Sequence, residues 1–186
     1  YCVGATPGTL PTTSTNGIAG TWSPLTISTA AAGTTIYTFT PAAGVCATSA
    51  TMSVTVNALP TTPTISNNGP ICPGDNAVFT ITGASGATVA YSGVTGTPVS
   101  PVTIGSGGTA TVTVNGATIN QTITIGTVSN GSCSITPSNV TSTVTINSAT
   151  VLTSATATPS TICPGGSSNL SAISTGNTIN WWSAET

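Results

Sequence analysis

Lysine, arginine and histidine are absent from this 186-residue chain, and its only carboxylates are Asp75 and Glu185. With no cations there is nothing to replace the counterions of a nucleic acid, so nucleic-acid binding is excluded. A polybasic membrane patch is excluded on the same ground. With no histidine or lysine, the usual general bases and activated nucleophiles are missing. No Ser/His/Asp or Ser/Lys arrangement can be assembled. Glu185 has no partner carboxylate, so glycosidase chemistry lacks its pair. The expectation is a chain without catalysis, cofactor or metal. No apolar run approaches the roughly 18–20 residues that span a bilayer, so no membrane insertion is expected. No basic segment marks a signal peptide, and a start at Tyr1-Cys2 reads as a mature or internal piece of something longer.

What is present is apolar and uncharged. Hydrophobic residues make up 38% of the chain and charged ones 1%, and mean hydropathy is +0.36. Disordered chains combine low hydrophobicity with high charge, the reverse of this pattern, so a folded chain is expected. Its surface is then threonine, serine, asparagine and glycine. A net charge of −2 gives little repulsion between copies, which favours self-association.

One unit recurs three times. Tyr1-Cys2-Val3-Gly4 matches Ile71-Cys72-Pro73-Gly74 and Ile162-Cys163-Pro164-Gly165. An aromatic-serine pair follows each at nearly constant distance: Trp22-Ser23, Tyr91-Ser92 and Trp182-Ser183. Alternating runs then lead to a second cysteine, Cys46 or Cys133, and a last run ends at Asn57 or Asn147. The units expected are 1–57, lacking its first strand, a complete 60–147, and the N-terminal part of a third over 149–186. The joints fall at 58–63, a proline-restricted spacer, and at 148–159.

Valine, isoleucine and threonine alternate with polar residues at period two, as in half-buried strands. In Thr109–Val114, Ala110, Val112 and Val114 face a core and the threonines face water. Asn115-Gly116 then carries a type I′ hairpin signal. Helix formers such as Leu, Glu, Lys and Arg are scarce or absent. Short strands with frequent turns predict an all-β fold of tandem Ig-like antiparallel β-sandwiches. The repeat is too long and irregular for the rival, a parallel β-helix. With aromatics at 4%, Trp22, Tyr91 and one of Trp181 and Trp182 are expected to anchor cores. Adjacent residues of a strand point to opposite faces, so the other member of the Trp181–Trp182 pair is the candidate glycan contact.

Five cysteines and no Cys-X-X-Cys or histidine point to disulfides and not to a metal or redox site. The repeat pairs Cys2 with Cys46 and Cys72 with Cys133, and leaves the partner of Cys163 beyond the chain end. Each such bridge is worth about 4 kcal/mol by chain entropy and implies an oxidising, extracellular compartment. Asp75, after Cys72-Pro73-Gly74, reads as a turn residue and not a calcium ligand. Lysine-free sequence also forbids Lys–Asn isopeptide staples. Asn120, Asn130, Asn139 and Asn169 match the glycan acceptor pattern, which is cheap in so Ser/Thr-rich a chain.

Together these repeats resemble the Ig-like modules of giant secreted adhesins of the Bacteroidetes, such as gliding-motility adhesins and other type IX secretion cargo. The resemblance rests on Leu10–Ile18 with Gly20-Thr21-Trp22-Ser23-Pro24, and on Tyr37–Pro41 with Gly44 and Cys46. It extends to Ile65–Cys72 in the second unit and to Pro159–Cys163 with Trp181-Trp182-Ser183 in the third. It implies a bacterial cell-surface filament whose partners are neighbouring modules or copies of itself, a surface polysaccharide, or an abiotic surface. Two other readings stand beside the stalk: a fibre subunit assembling by strand exchange at an open sheet edge, and a carbohydrate-binding module.

Overall fold

The computed structural model describes residues 1–96, 98–147 and 151–175. Every regular element among them is a β-strand, and every pair of strands is antiparallel. Each sheet draws its strands from one stretch of sequence. No helix in the described residues is long and apolar enough to cross a membrane.

Residues 1–57 hold one sheet in the order β1 (Gly20–Ser23), β2 (Gly33–Pro41), β3 (Ala50–Val56). Tyr37, Phe39 and Val56 are its buried residues, and Ile36 lies on the opposite, exposed face, as period two requires. Trp22 is half-buried. Its ring lies 5.3 Å from that of Phe39, and its Nε1–H donates to the Pro11 carbonyl at 2.8 Å.

Residues 64–144 form eight strands in two sheets. One sheet is β4 (Thr64–Asn67), β5 (Ala77–Thr82) and β8 (Thr109–Val114), in that order. The other runs β10 (Ser134–Ile135), β9 (Gln121–Ser129), β6 (Thr88–Ser92), β7 (Val102–Thr103), with β11 (Thr141–Val144) also paired to β9. Their inward residues meet in one core: Phe79, Ile81, Val112 and Val114 from the first sheet, Val89, Ile123, Ile125, Val128 and Val144 from the second. The arrangement is sandwich-like, and Phe79, Ile81, Val89 and Ile123 are wholly inaccessible.

The alternation shifts once. On β9 the buried residues are Gln121, Ile123 and Ile125, then Val128. Tyr91 faces Ile125 while Val89 faces Val128, so β9 spends one more residue than β6 over this interval. A β-bulge at Gly126-Thr127 restores the inward phase.

Two expectations are corrected here. Asn115-Gly116 does not close a hairpin, because β8 pairs with β5 and the next strand, β9, lies in the other sheet. Only Gly116 has positive φ, whereas a type I′ turn needs it at both positions. The Asn76 side chain accepts from Gly116 N–H at 3.0 Å, Ala117 N–H donates to Asp75 O at 2.8 Å, and Ala117 is buried. These contacts carry the chain across from one sheet to the other. The stretch 148–159, read as a joint, also contains a strand. There β12 (Val151–Thr158) pairs with β13 (Asn169–Thr175). Leu152, Leu170 and Ile173 on this hairpin are largely exposed.

The first unit is short by more than one strand. It has three strands where 64–144 has eight. From Trp22 to Cys46 there are 24 residues, from Tyr91 to Cys133 there are 42. The missing length corresponds to β7 and β8. Without β8, the segment matching β5 has no partner on which to form a second sheet.

Candidate functional site

The residues that join the first stretch to the second form a site held by a disulfide and several hydrogen bonds. β3 ends at Val56, and the chain then runs through Asn57-Ala58-Leu59-Pro60 to β4. Pro60 and Pro63 are buried while Ala58 and Leu59 are exposed, so the two prolines anchor the connection. Cys2 sits beside its start. It forms a parallel bridge with Asn57, with Asn57 N–H donating to Tyr1 O at 2.8 Å and Val3 N–H to Asn57 O at 3.0 Å.

Across the connection lies the turn between β9 and β10. Cys133 in this turn is bonded to Cys2, with their Cα atoms 5.8 Å apart and a separation of 131 positions in sequence. Asn130 Nδ2 donates to the Ala58 carbonyl at 3.1 Å. Asn130 Oδ1 accepts from Cys133 N–H at 3.2 Å, which fixes the turn. Cys133 is buried in the joint.

This bond overturns the expected pairings Cys2–Cys46 and Cys72–Cys133. Cys46, Cys72 and Cys163 are free and exposed. The reason is strand length. Cys72 lies near Ile146 and the start of β9, since Ile71 bridges Ile146 and Val144 pairs with Gln121. Cys133 follows the other end of β9. Eight residue steps at about 3.3 Å place the two roughly 25 Å apart, whereas a disulfide needs Cα atoms within about 7 Å. In the first unit β3 separates Cys46 from Cys2 in the same way, by about 20 Å.

The other expected site residues fall as follows. Asp75 Oδ2 accepts from Cys72 N–H at 3.2 Å, and Asp75 N–H donates to Cys72 O at 3.2 Å, so the carboxylate closes its own turn. No three His, Cys, Asp or Glu side chains cluster among the described residues. Trp181, Trp182 and Glu185 lie outside the described residues. Tyr91 is half-buried and not central. Its hydroxyl donates to Val99 O at 2.8 Å, and burial pushes its phenol above the usual range. The core centres on Phe79, the middle of the alternating run Ala77–Ile81, which was the signal available in the sequence.

Gln121, unremarked in the sequence, is the one large buried polar side chain among the described residues. Its Oε1 accepts from Thr95 N–H and Thr95 Oγ1, each at 3.0 Å, and its Nε2 donates to Ile119 O at 3.0 Å. No buried side-chain polar atom among the described residues lacks a partner.

No protein-family model matches the chain, and no curated protein matches it.

Proposed function

We propose that this chain is a non-catalytic segment of a bacterial cell-surface adhesin or extracellular filament, built of tandem Ig-like β-sandwiches that supply reach and stiffness. The observation that carries the reading is the Cys2–Cys133 bond. It ties one β unit to the next, where an enzyme core or a lone binding module has no use for a staple between units. A proline-anchored connection beside it stiffens the joint further. A disulfide is compatible with an extracellular protein. A surface with almost no ionic groups suits contact with polysaccharide or abiotic surfaces.

Small-angle X-ray scattering of the chain tests this. A compact globule of this length has a radius of gyration of about 16 Å. A serial arrangement gives a clearly larger value and an elongated distance distribution. A value near the compact figure would refute the spacer.

One observation favours a second reading, a fibre subunit assembling by strand exchange. In the first unit β1 and β3 are both sheet edges, and no strand there corresponds to β5 or β8. Electron microscopy of concentrated chain decides: filaments support exchange, separate rods support the spacer.

A further inference from the structure

The two stretches carry the same turn at the same place. Asn57 N–H donates to Tyr1 O, as Asn147 N–H donates to Ile71 O at 2.9 Å. Tyr1 N donates to Thr55 O at 2.9 Å, as Ile71 N donates to Thr145 O at 3.0 Å. In both, the residue three beyond the cysteine donates back to its carbonyl, Ala5 to Cys2 at 3.0 Å and Asp75 to Cys72 at 3.2 Å. In both, the intervening glycine has positive φ, Gly4 at 78° and Gly74 at 93°. Cys72 is therefore placed on the second unit as Cys2 is placed on the first.

The mating turn also has two versions. Gly131-Ser132-Cys133 corresponds to Gly44-Val45-Cys46, with φ of 96° and 87° at the glycines. Cys133 is buried because the first unit covers it, while Cys46 is exposed. The two differ in whether a preceding unit is seated on the turn, and in the residue before the glycine, which is Asn130 in one and Ala43 in the other. The structure thus shows one socket cysteine, Cys2, bonded to one plug cysteine, Cys133. It holds one further plug, Cys46, and two further cysteines on the socket turn, Cys72 and Cys163, all three free; at Cys163 too Gly166 N–H donates back to the cysteine carbonyl at 2.9 Å.

We propose that the Cys72 end of the second unit is a connector that receives the Gly-X-Cys turn of another module of this repeat placed next in series, and locks it through a Cys72 disulfide as Cys2 locks Cys133. Cys46 is the matching plug for a module seated before it. The bond forms by exchange with an oxidised small-molecule disulfide such as glutathione disulfide. One cysteine thiolate attacks it, releasing one glutathione thiolate. The second cysteine thiolate attacks the resulting mixed disulfide and releases the other. Two protein thiols are oxidised and one glutathione disulfide is reduced. The inference rests on the serial reading above. Its failure leaves a spacer with one locked joint, and the scattering test of that reading does not involve Cys72.

The test is a full chain in which residues 58–147 are inserted a second time after Asn147, which recreates the Asn-Ala-Leu-Pro connection. The chain is refolded in a glutathione buffer, alkylated, digested with pepsin and mapped without reduction. The expected result is a first-copy Cys72 that escapes alkylation and is linked to second-copy Cys133, while Cys2 stays linked to first-copy Cys133. A first-copy Cys72 that is alkylated as in the parent chain, or linked to its own Cys133, overturns the proposal. The parent chain carrying Cys2→Ser gives a second test that leaves both cores untouched. Cys133 should then be alkylated along with Cys46, Cys72 and Cys163. A Cys72–Cys133 bond appearing in that variant overturns the proposal equally.

Discussion

Pulling on the two ends of the chain should extend far less of it when the disulfide is intact. Force applied at Tyr1 reaches Cys2 and passes directly to Cys133. The interval between them, a separation of 131 positions, is bypassed and carries no tension. At roughly 3.5 Å per extended residue the hidden length is about 460 Å. Single-molecule stretching with and without reductant measures this as a gain in contour length, and Cys133→Ser should show the full length without reductant. The magnitude also discriminates between pairings. Bonds from Cys2 to Cys46 and from Cys72 to Cys133 together would hide about 370 Å. A gain near that smaller figure, or no gain, would refute the joint described here. Chain entropy for a loop of this size adds about 5 kcal/mol to the stability of the bonded form, so the reduced chain should also unfold at a lower denaturant midpoint.

Three further outcomes follow from the second core. Phe79→Ala should cost about 3–5 kcal/mol in urea unfolding, as expected for a fully buried aromatic. Gln121→Met should cost about 1–3 kcal/mol, because Thr95 N–H loses its acceptor inside the protein; the loss should appear as faster amide exchange at Thr95. The Tyr91 phenol is raised in the folded chain, so its neutral form is favoured by folding. That contribution is whole below the unfolded value of about 10 and is lost as pH rises through the folded value. Stability should therefore fall more steeply in the parent than in Tyr91→Phe above about pH 10, and parallel curves would contradict the shift.

The all-β class was legible because period two fixes which side of a strand meets the core, and the run Thr109–Val114 shows that pattern with Val112 and Val114 buried. The bulge on β9 was not legible. An extra residue at Gly126-Thr127 resets the period, and nothing local marks it apart from a glycine. The disulfide was misread for a related reason. Repeat spacing says which cysteines are equivalent, but not which pole each occupies. That depends on Cys2 and Ile71 each bridging the end of the last strand of its own unit in parallel, a long-range contact with no periodic signature. The second cysteine precedes that same strand, so the length of one strand separates the two. Asn115-Gly116 misled because its turn chemistry was read without the contacts from Asn76 and Asp75 that aim it across the sandwich. Trp22 and Tyr91 were expected to anchor cores, yet each keeps a polar atom that needs a carbonyl at the periphery, and this holds them away from the centre.

Closing residues 2–133 into a covalent ring alters what damage does. A protease that cuts any exposed turn within the ring leaves both fragments attached, since the backbone break is bypassed through sulfur. Trypsin-like enzymes have no site at all, because lysine and arginine are absent. Severing such a tether takes two different injuries at once, a cut and a reduction, or a cut outside the ring.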